Sequence, residues 1–110
     1  MPGVANFAKV SPALWRGAQP TAAGFRALEA AGAKTIVNLR HDHDDLPLLN
    51  GTKLKYLWLP SRSWSPSEQT IVLFLRALQD TSSWPVYVHC AQGRDRTGCC
   101  VASYRIVYQD

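Results

Sequence analysis

The chain has 110 residues, of which 46% are hydrophobic and 18% charged, and its formal net charge is +4 at pH 7. This composition is typical of one globular domain and excludes a disordered or collagen-like chain. No apolar run approaches membrane-spanning length, and the arginines form no basic stripe interleaved with aromatic residues. We therefore expect a single domain over residues 1–110, with no membrane span and no nucleic-acid partner.

The cysteines and the N-terminal residues indicate the cellular compartment in which the protein is expected. The chain has three cysteines, too few for a disulfide scaffold, and its first residues, Met-Pro-Gly, begin no signal peptide. These features favour a reducing compartment, and the cytoplasm is the default expectation.

Strands and helices are predicted to alternate along the first half of the chain. Residues 10–16 contain a short strand, and a helix is expected from its N-cap Thr21 to Ala31, with Gly32 as the stop. Residues 34–40 form the next predicted strand, and residues 53–59 form another that alternates enough to be half-buried.

A second helix is predicted after residue 65. Ser65 and Glu68 match a capping box with Pro66 at the first helical position. Apolar residues then recur at the spacing of one helical face: Ile71, Phe74, Leu75 and Leu78.

The final elements are a short apolar strand over residues 85–88 and a helix over residues 97–108, joined by a loop that starts at Cys90. Such alternation predicts an α/β fold with three layers, a mostly parallel central sheet flanked by helices. Ligands of such sheets bind beyond the carboxyl ends of the strands, which is where this loop lies.

The loop itself reads His-Cys-Ala-Gln-Gly-Arg-Asp-Arg-Thr-Gly over residues 89–98, and residues 90–96 are called the cysteine loop below. Backbone N–H groups above a helix N-terminus bind anions such as phosphate. The same field lowers the pKa of a thiol, and the planar fork of Arg96 can hold two phosphate oxygens at once. A nucleophile and a phosphate site therefore coincide in one loop.

The pattern His-Cys-x5-Arg-Thr-Gly resembles the signature of the cysteine-dependent protein tyrosine and dual-specificity phosphatases. The segments Trp-Arg-Gly-Ala-Gln-Pro and Ile-Val-Asn-Leu-Arg also resemble the front half of the small atypical members. The resemblance implies the fold of that family, here with a shortened C-terminus, and a phosphomonoester hydrolase that needs no metal or other cofactor.

Carried over from the family, Cys90 would be the nucleophile and Arg96 would bind the phosphoryl group. Thr97 would donate a hydrogen bond to the sulfur, and His89 would orient the loop. The phosphate would lie against the backbone and side chains of the loop: Ala91, Gln92, Gly93, Arg94, Asp95 and Arg96.

The general acid is the open question. Small dual-specificity phosphatases usually carry an aspartate about thirty residues before the cysteine, but residues 59–66 contain no carboxylate. Asp95 is the candidate inside the loop, because myotubularins, Sac-type lipid phosphatases and some bacterial tyrosine phosphatases share Asp-Arg-Thr at this point. Pairing with Arg94 or helix capping is the alternative use of Asp95.

Residues 41–45 read His-Asp-His-Asp-Asp and are called the acidic loop below. Such a cluster could ligate a metal, although solvated side chains are the commoner explanation, and we expect no metal. Asp42, Asp44 and Asp45 are alternative candidates for the general acid if this loop folds over the cysteine loop. Arg62, in the neighbouring loop, is either a contact for a second phosphate or a plain surface residue.

The substrate classes follow from the resemblance. A phosphorylated protein is the main expectation, with phosphotyrosine first and phosphoserine or phosphothreonine as the further targets of a dual-specificity enzyme. Arg94 and Asp95 motivate a phosphoinositide or inositol-phosphate phosphatase as an alternative, and a phosphate-binding module without turnover is a third hypothesis.

The last helix is apolar nearly all round, which is typical of a helix covered on most sides. Members of the resembled family usually continue with further helices. Either a further C-terminal segment or another subunit would cover this face, and we expect a homo-oligomer.

Overall fold

The computed structural model describes residues 1–62 and 66–109. Its centre is a five-stranded sheet in the order β1-β2-β5-β3-β4, in which β1 is antiparallel to β2 and the other pairs are parallel. The strands are β1 (Ala8–Lys9), β2 (Leu14–Gly17), β3 (Thr35–Arg40), β4 (Lys55–Ser61) and β5 (Val86–His89). The predicted three-layer α/β fold with a mostly parallel sheet is confirmed.

In the described part of the chain, three α-helices flank the sheet: α1 (Ala22–Ala30), α2 (Glu68–Ala77) and α3 (Asp95–Tyr104). Helix α1 begins after the predicted cap, since the Thr21 side chain accepts from the Gly24 N–H. Helix α2 begins at Glu68 and is capped by Ser67, whose Oγ accepts from the Thr70 N–H. The prediction of Pro66 as the first helical residue was therefore wrong, and Ser65, the predicted cap, lies outside the described residues.

Two apolar clusters form the core, one on each face of the sheet. Phe25 and Leu28 of α1 pack on one face with Ile36 and Tyr87. Phe74 and Leu78 of α2 pack on the other face, joined by side chains of α3 and of the strands that include Val86, Val88, Cys100 and Val101. Strand β5 alternates between the two clusters, as the period-two geometry of a strand requires.

The C-terminal helix differs from its prediction at both ends. Helix α3 starts at Asp95 and ends at Tyr104, and a π-helical turn follows over Arg105–Gln109. Val101 and Tyr104 are buried, whereas Ile106, Val107 and Tyr108 are 68%, 55% and 44% exposed. The first turns of the helix are therefore buried, whereas its last turn leaves an apolar face uncovered in the single chain. Among the helices of the described residues, none is both long and apolar enough to span a bilayer.

Candidate active site

Strand β5 delivers the cysteine to the carboxyl edge of the sheet, and helix α3 starts five residues later. Cys90, Gln92, Arg94, Asp95 and Arg96 line a cavity of about 410 Å³ at this edge. The cysteine loop thus curls around one opening, as the strand–loop–helix pattern predicts.

The loop keeps its shape because its carbonyl groups are bonded away from the cavity. The N–H of Gln19 donates to the Ala91 carbonyl at 3.0 Å, and Asn6 Nδ2 donates to the Gln92 carbonyl at 3.0 Å. Arg16 Nη2 donates to the Gly93 carbonyl at 2.7 Å. Since a peptide unit is planar, carbonyls that point outward turn the N–H groups of the loop toward the cysteine.

Gly93 is required by geometry at this contact. Its φ is +74°, and a Cβ at this position would overlap with the Gly17 carbonyl group. A Cβ at Gly17 would in turn overlap with the Tyr87 hydroxyl, which donates to the Ala18 carbonyl at 2.6 Å. Two glycines therefore let the backbone of the loop touch the end of β2.

Cys90 is only 3% exposed, and its sulfur sits where these donors converge. Burial would raise the pKa of this thiol, but hydrogen bonds from the Thr97 hydroxyl and from the N–H groups of Thr97, Gly93 and Arg94 bring it below its ordinary value of 9.0. The Thr97 Oγ1–Sγ distance is 3.2 Å. By contrast, burial raises the pKa of the neighbouring thiol of Cys100 to about 12. The site therefore favours a thiolate at one cysteine and a thiol at the other.

Arg96 reaches across the cavity from the first turn of α3. Its Nη1 donates to the Ser61 carbonyl at the end of β4, at 2.8 Å. A guanidinium carries five N–H donors, so this one bond fixes the fork beside the cavity and leaves most of its donors for a ligand.

The candidate acids are placed very differently. Asp95 is exposed, lies in the first turn of α3 and lines the cavity. Asp42 pairs with Arg40 at 3.2 Å, and that side-chain hydrogen bond holds its pKa below the ordinary value. Asp44 accepts from the Tyr56 hydroxyl at 2.8 Å. Residues 63–65, part of the segment where the family usually has its acid, lie outside the described residues.

Asp45 and His89 form a buried pair behind the loop. Both side chains are 0% exposed, and Asp45 Oδ2 lies 2.5 Å from His89 Nε2. The other ring nitrogen of His89 lies 3.0 Å from the Cys90 carbonyl oxygen. Asp45 is thus the aspartate of the acidic loop that bonds to His89, the residue before the cysteine loop, and it does so on the buried side.

Two further basic side chains line the cavity, His41 of the acidic loop and Arg62 after β4. Sequence reasoning named both residues but gave them no firm role. It missed Asn6 and Arg16, which donate to carbonyls of the cysteine loop, and Tyr87, whose hydroxyl lies beside Gly17, although the glycines at 17 and 93 mark this close approach. Within residues 1–62 and 66–109, no group of three metal-binding side chains converges.

Comparisons with known proteins agree with this geometry. The chain is 35% identical over 105 residues to the dual specificity protein phosphatase TpbA of Pseudomonas aeruginosa, covering 94% of this chain and 48% of TpbA. It is 29% identical over 110 residues to the inositol diphosphatase DSP5 of Arabidopsis thaliana, covering 93% of this chain and 54% of that protein. The chain therefore spans about half the length of these relatives.

Among solved structures, P. aeruginosa TpbA in complex with phosphotyrosine superposes with a TM-score of 0.82 at 33% identity, covering 98% of this chain and 71% of that one. The model of the family described as "DSP-PTPase phosphatase fused to NAD+ kinase" matches residues 4–110. With a family model matched over nearly its whole length, the chain belongs to this family of dual-specificity and protein tyrosine phosphatase domains.

Proposed function

We propose that this chain hydrolyses phosphomonoesters through a phospho-cysteine intermediate, and that phosphotyrosine in proteins is its main substrate. The observation that carries the proposal is the convergence of hydrogen-bond donors on Cys90 Sγ at the floor of a cavity that Arg96 also lines. A thiolate and a phosphate site in one place are what covalent phosphoryl transfer needs. The described residues would act as one phosphatase domain, because both apolar clusters pack on a single sheet.

The first step is attack of the Cys90 thiolate on phosphorus. The S–P bond forms as the bond from phosphorus to the leaving oxygen breaks, and that oxygen takes a proton from the acid. The loop N–H groups and Arg96 would bind the three phosphoryl oxygens, where negative charge must be stabilised. No metal or other cofactor is needed for this step.

The second step is attack of water on the phospho-cysteine. Asp95, ionised after the first step, would take the proton of that water. The sulfur then leaves as a thiolate, and the hydrogen bond from the Thr97 hydroxyl at 3.2 Å would stabilise it.

We propose Asp95 as the acid because it lines the same cavity as Cys90 and Arg96. A bound phosphate dianion favours the protonated form of a carboxyl group beside it. Asp42 is the weaker candidate, since its contact with Arg40 favours the ionised carboxylate. Asp44 already accepts a hydrogen bond from the Tyr56 hydroxyl, and Asp45 lies on the buried side of the cysteine loop.

A second candidate function is hydrolysis of inositol phosphates or phosphoinositides. The supporting observation is that His41, Arg62 and Arg94 line the cavity in addition to Arg96. Several basic groups around one opening suit a substrate with more than one phosphate. The name of the relative DSP5 assigns an inositol diphosphatase activity to that protein.

We also propose self-association through the exposed apolar residues of the last turn, Ile106, Val107 and Tyr108. The cytoplasm is the proposed compartment, because Cys90 must stay reduced to react.

The test of the function is turnover of p-nitrophenyl phosphate and phenyl phosphate by the wild type and two variants. Cys90→Ser should lower kcat by at least about 10⁴-fold on both substrates, because the nucleophile is lost. Asp95→Asn should lose about 10²-fold or more on phenyl phosphate and much less on p-nitrophenyl phosphate, whose leaving group needs no proton.

Glu68→Gln is the matched control, since Glu68 stands in the first turn of α2 as Asp95 stands in the first turn of α3. Equal turnover by Asp95→Asn and the wild type would exclude Asp95 as the acid. A wild type that binds phosphate or tungstate but hydrolyses neither ester would favour the phosphate-binding module. Release of phosphate from inositol phosphates but not from phosphotyrosine peptides would favour the second candidate.

A further inference from the structure

Asn6 is exposed and precedes the first strand, yet it is bonded to the cysteine loop across 86 positions of the chain. Its φ is +57°, and within residues 1–62 and 66–109 no other residue except glycine has a positive φ. Asparagine tolerates this left-handed conformation better than most residues do. Such a conformation is kept where the surrounding structure or the function requires it, so the contact made by Asn6 needs an explanation.

The segment before β1 is anchored by contacts that do not involve the cysteine loop. The Ala5 carbonyl accepts from the Ala18 N–H at 2.9 Å. Val4 is buried in the apolar cluster of the α1 face of the sheet, and Phe7 packs against the same cluster. Asn6 therefore projects from a backbone that is held on both sides.

The side chain of Asn6 reaches one defined carbonyl. Its Nδ2 donates to the Gln92 carbonyl oxygen at 3.0 Å. A carbonyl oxygen can only accept, so the nitrogen end of the amide must face it. That carbonyl belongs to the peptide unit whose N–H is the N–H of Gly93, and the C=O and N–H of one trans peptide unit lie in one plane and point in opposite directions. The bond from Asn6 therefore fixes the direction of the Gly93 N–H.

The Gly93 N–H is one of the groups that bond to the Cys90 sulfur and lower the pKa of its thiol. The next peptide unit is held in the same way, because Arg16 donates to the Gly93 carbonyl and the Arg94 N–H bonds to the sulfur. Asn6 differs from Arg16 in having a neutral side chain, which carries no charge that could act on the sulfur at a distance. Its influence on the thiolate passes through the peptide unit.

We propose that Asn6 is a positioning residue of the active site, which holds the Gln92–Gly93 peptide unit so that the Gly93 N–H points to the nucleophile and to a bound phosphoryl group. A segment near the N-terminus thus shapes the loop that contains the nucleophile. The effect of Asn6 on turnover rests on the proposed function, whereas its effect on the thiol of Cys90 does not.

The experiment follows alkylation by iodoacetamide against pH, without any substrate, and reads it at Cys90 by mass spectrometry of peptides. Asn6→Gly removes the hydrogen bond alone, since glycine adopts a positive φ freely but has no side-chain donor. Asn6→Asp also tolerates the conformation, but its carboxylate can only accept and repels the Gln92 carbonyl. We expect the midpoint of the profile to rise by about half a unit in Asn6→Gly, which means about threefold slower alkylation below the midpoint, and by more in Asn6→Asp.

Asn6→Gly leaves the charged and titratable groups around Cys90 unchanged. These groups line the cavity or lie on the strand and helix that carry the loop: His41, Arg62, Arg94, Asp95, Arg96, Tyr87 and Cys100. A shift of the midpoint in this variant therefore reports the lost hydrogen bond.

Lys9→Ala is the matched control. Lys9 is exposed and follows Asn6 closely, and its Nζ lies 4.8 Å from the centre of the Trp15 ring, so its loss loosens β1 and leaves the bond from Asn6 in place. We expect this variant to keep the wild-type alkylation profile and kcat. If Asn6 only fastens the segment, Asn6→Gly lowers the thermal unfolding midpoint and leaves the profile of Cys90 as in the wild type, and that result would overturn the proposal.

Turnover of p-nitrophenyl phosphate gives the catalytic readout. In Asn6→Gly, kcat should fall about threefold or more, and inorganic phosphate should inhibit less strongly by a similar factor, because the Gly93 N–H also binds the phosphoryl group. A wild type that hydrolyses no phosphomonoester, with the alkylation shift as expected, would reject the proposed function and leave the role of Asn6 standing. An active wild type without the alkylation shift in either Asn6 variant would do the reverse.

NMR of the wild type gives a test that needs no variant to fold. Inorganic phosphate that accepts from the Gly93 N–H polarises the peptide unit and strengthens the bond at its carbonyl. The signals of the Asn6 side-chain amide and of the Gly93 N–H should therefore shift together over the same phosphate concentrations. An Asn6 amide signal that does not respond to phosphate would contradict the proposal.

Discussion

The cysteine loop and the acidic loop leave the same edge of the sheet, from the neighbouring strands β5 and β3, but they are built in opposite ways. In the cysteine loop, backbone N–H groups point toward Cys90. The backbone carbonyls accept hydrogen bonds from Asn6, Arg16 and Gln19. In the acidic loop, side chains make the contacts, and they point in different directions. A loop that binds through its backbone N–H groups needs particular residues at fixed positions, so its sequence predicts its function. The contacts of a loop that acts through side chains can be assigned only from the folded structure.

The largest difference between the two loops is expected when Gly93→Ala is compared with Gly51→Ala. Both glycines have positive φ, +74° and +85°, but a Cβ at Gly93 would meet the Gly17 backbone, whereas a Cβ at Gly51 would meet no atom within 4 Å. We expect Gly93→Ala to lower kcat by about 10²-fold or more, because a shift of about 1 Å in the loop displaces the donors. Gly51→Ala should cost about 1–2 kcal/mol of stability from backbone strain and leave kcat unchanged.

The measurements are steady-state turnover and urea unfolding of both variants. Equal kcat for the two would mean that the contact between Gly17 and Gly93 does not shape the loop.

A smaller effect is expected from Thr97→Val, with Ser103→Ala as its control on the same helix. The valine keeps the shape of the buried threonine but removes the hydrogen bond to Cys90 Sγ, so the pKa of Cys90 should rise by about one unit. Ser103 Oγ donates to the Cys99 carbonyl, and its loss should leave that pKa unchanged. Alkylation against pH measures both.

The same variant has a defined dependence of stability on pH. The folded pKa of Cys90 is lower than its unfolded value of about 9, so the stabilisation from ionisation is complete above pH 9 and is lost as the pH falls through the folded pKa. Thr97→Val should therefore lower the free energy of unfolding more near pH 9 than near pH 5. A loss that is independent of pH would show that the hydroxyl acts only as a packing group.

The smallest effect on turnover should come from Tyr56→Phe, which changes the acidic loop alone. The Tyr56 hydroxyl donates to Asp44 Oδ1 and accepts from Asn38 Nδ2 and the Asp45 N–H. Its loss should cost about 1–2 kcal/mol of stability with little change in kcat, because the cysteine loop keeps its own bonds.

Burial raises the pKa of Tyr56 to about 12. The stabilisation by the protonated hydroxyl is therefore complete below its unfolded pKa of about 10 and is lost as the pH rises through 12. Unfolding curves at pH 7 and above pH 10 measure the difference. A drop in kcat as large as that of Gly93→Ala would contradict the separation of the two loops.

The predictability of the site follows the same division. Cys90, Arg96 and Thr97 could be named from spacing, because a backbone cradle needs these residue types at fixed positions. The direction in which each aspartate side chain of the acidic loop points could not be predicted, because side chains alternate between two faces only in strands. Burial of Asp45 depends on its contact with His89, 44 residues away. Segments that pair across such distances carry no local signal.

Most of the fold was predictable for a related reason. The face that contains Phe74 and Leu78 repeats at helical spacing, so α2 could be placed from local pattern alone. Its start was misplaced because both Ser65 and Ser67 are residue types that cap helices, and the structure uses Ser67. The helix predicted to end at residue 108 changes after Tyr104 to a π-helical turn over Arg105–Gln109, because residue types do not specify the hydrogen-bond pattern of the last turn.

The hydrogen bonds that hold the cysteine loop also determine when this loop forms during folding. The bond from Asn6 spans 86 positions of the chain and the bond from Arg16 spans 77. Contacts of such long sequence separation are closed late, after local helices have formed. During synthesis, the segment containing Arg16 must therefore wait until Gly93 has left the ribosome before the loop can close. Until then Cys90 is an ordinary thiol, and its reactivity arises only with the completed domain.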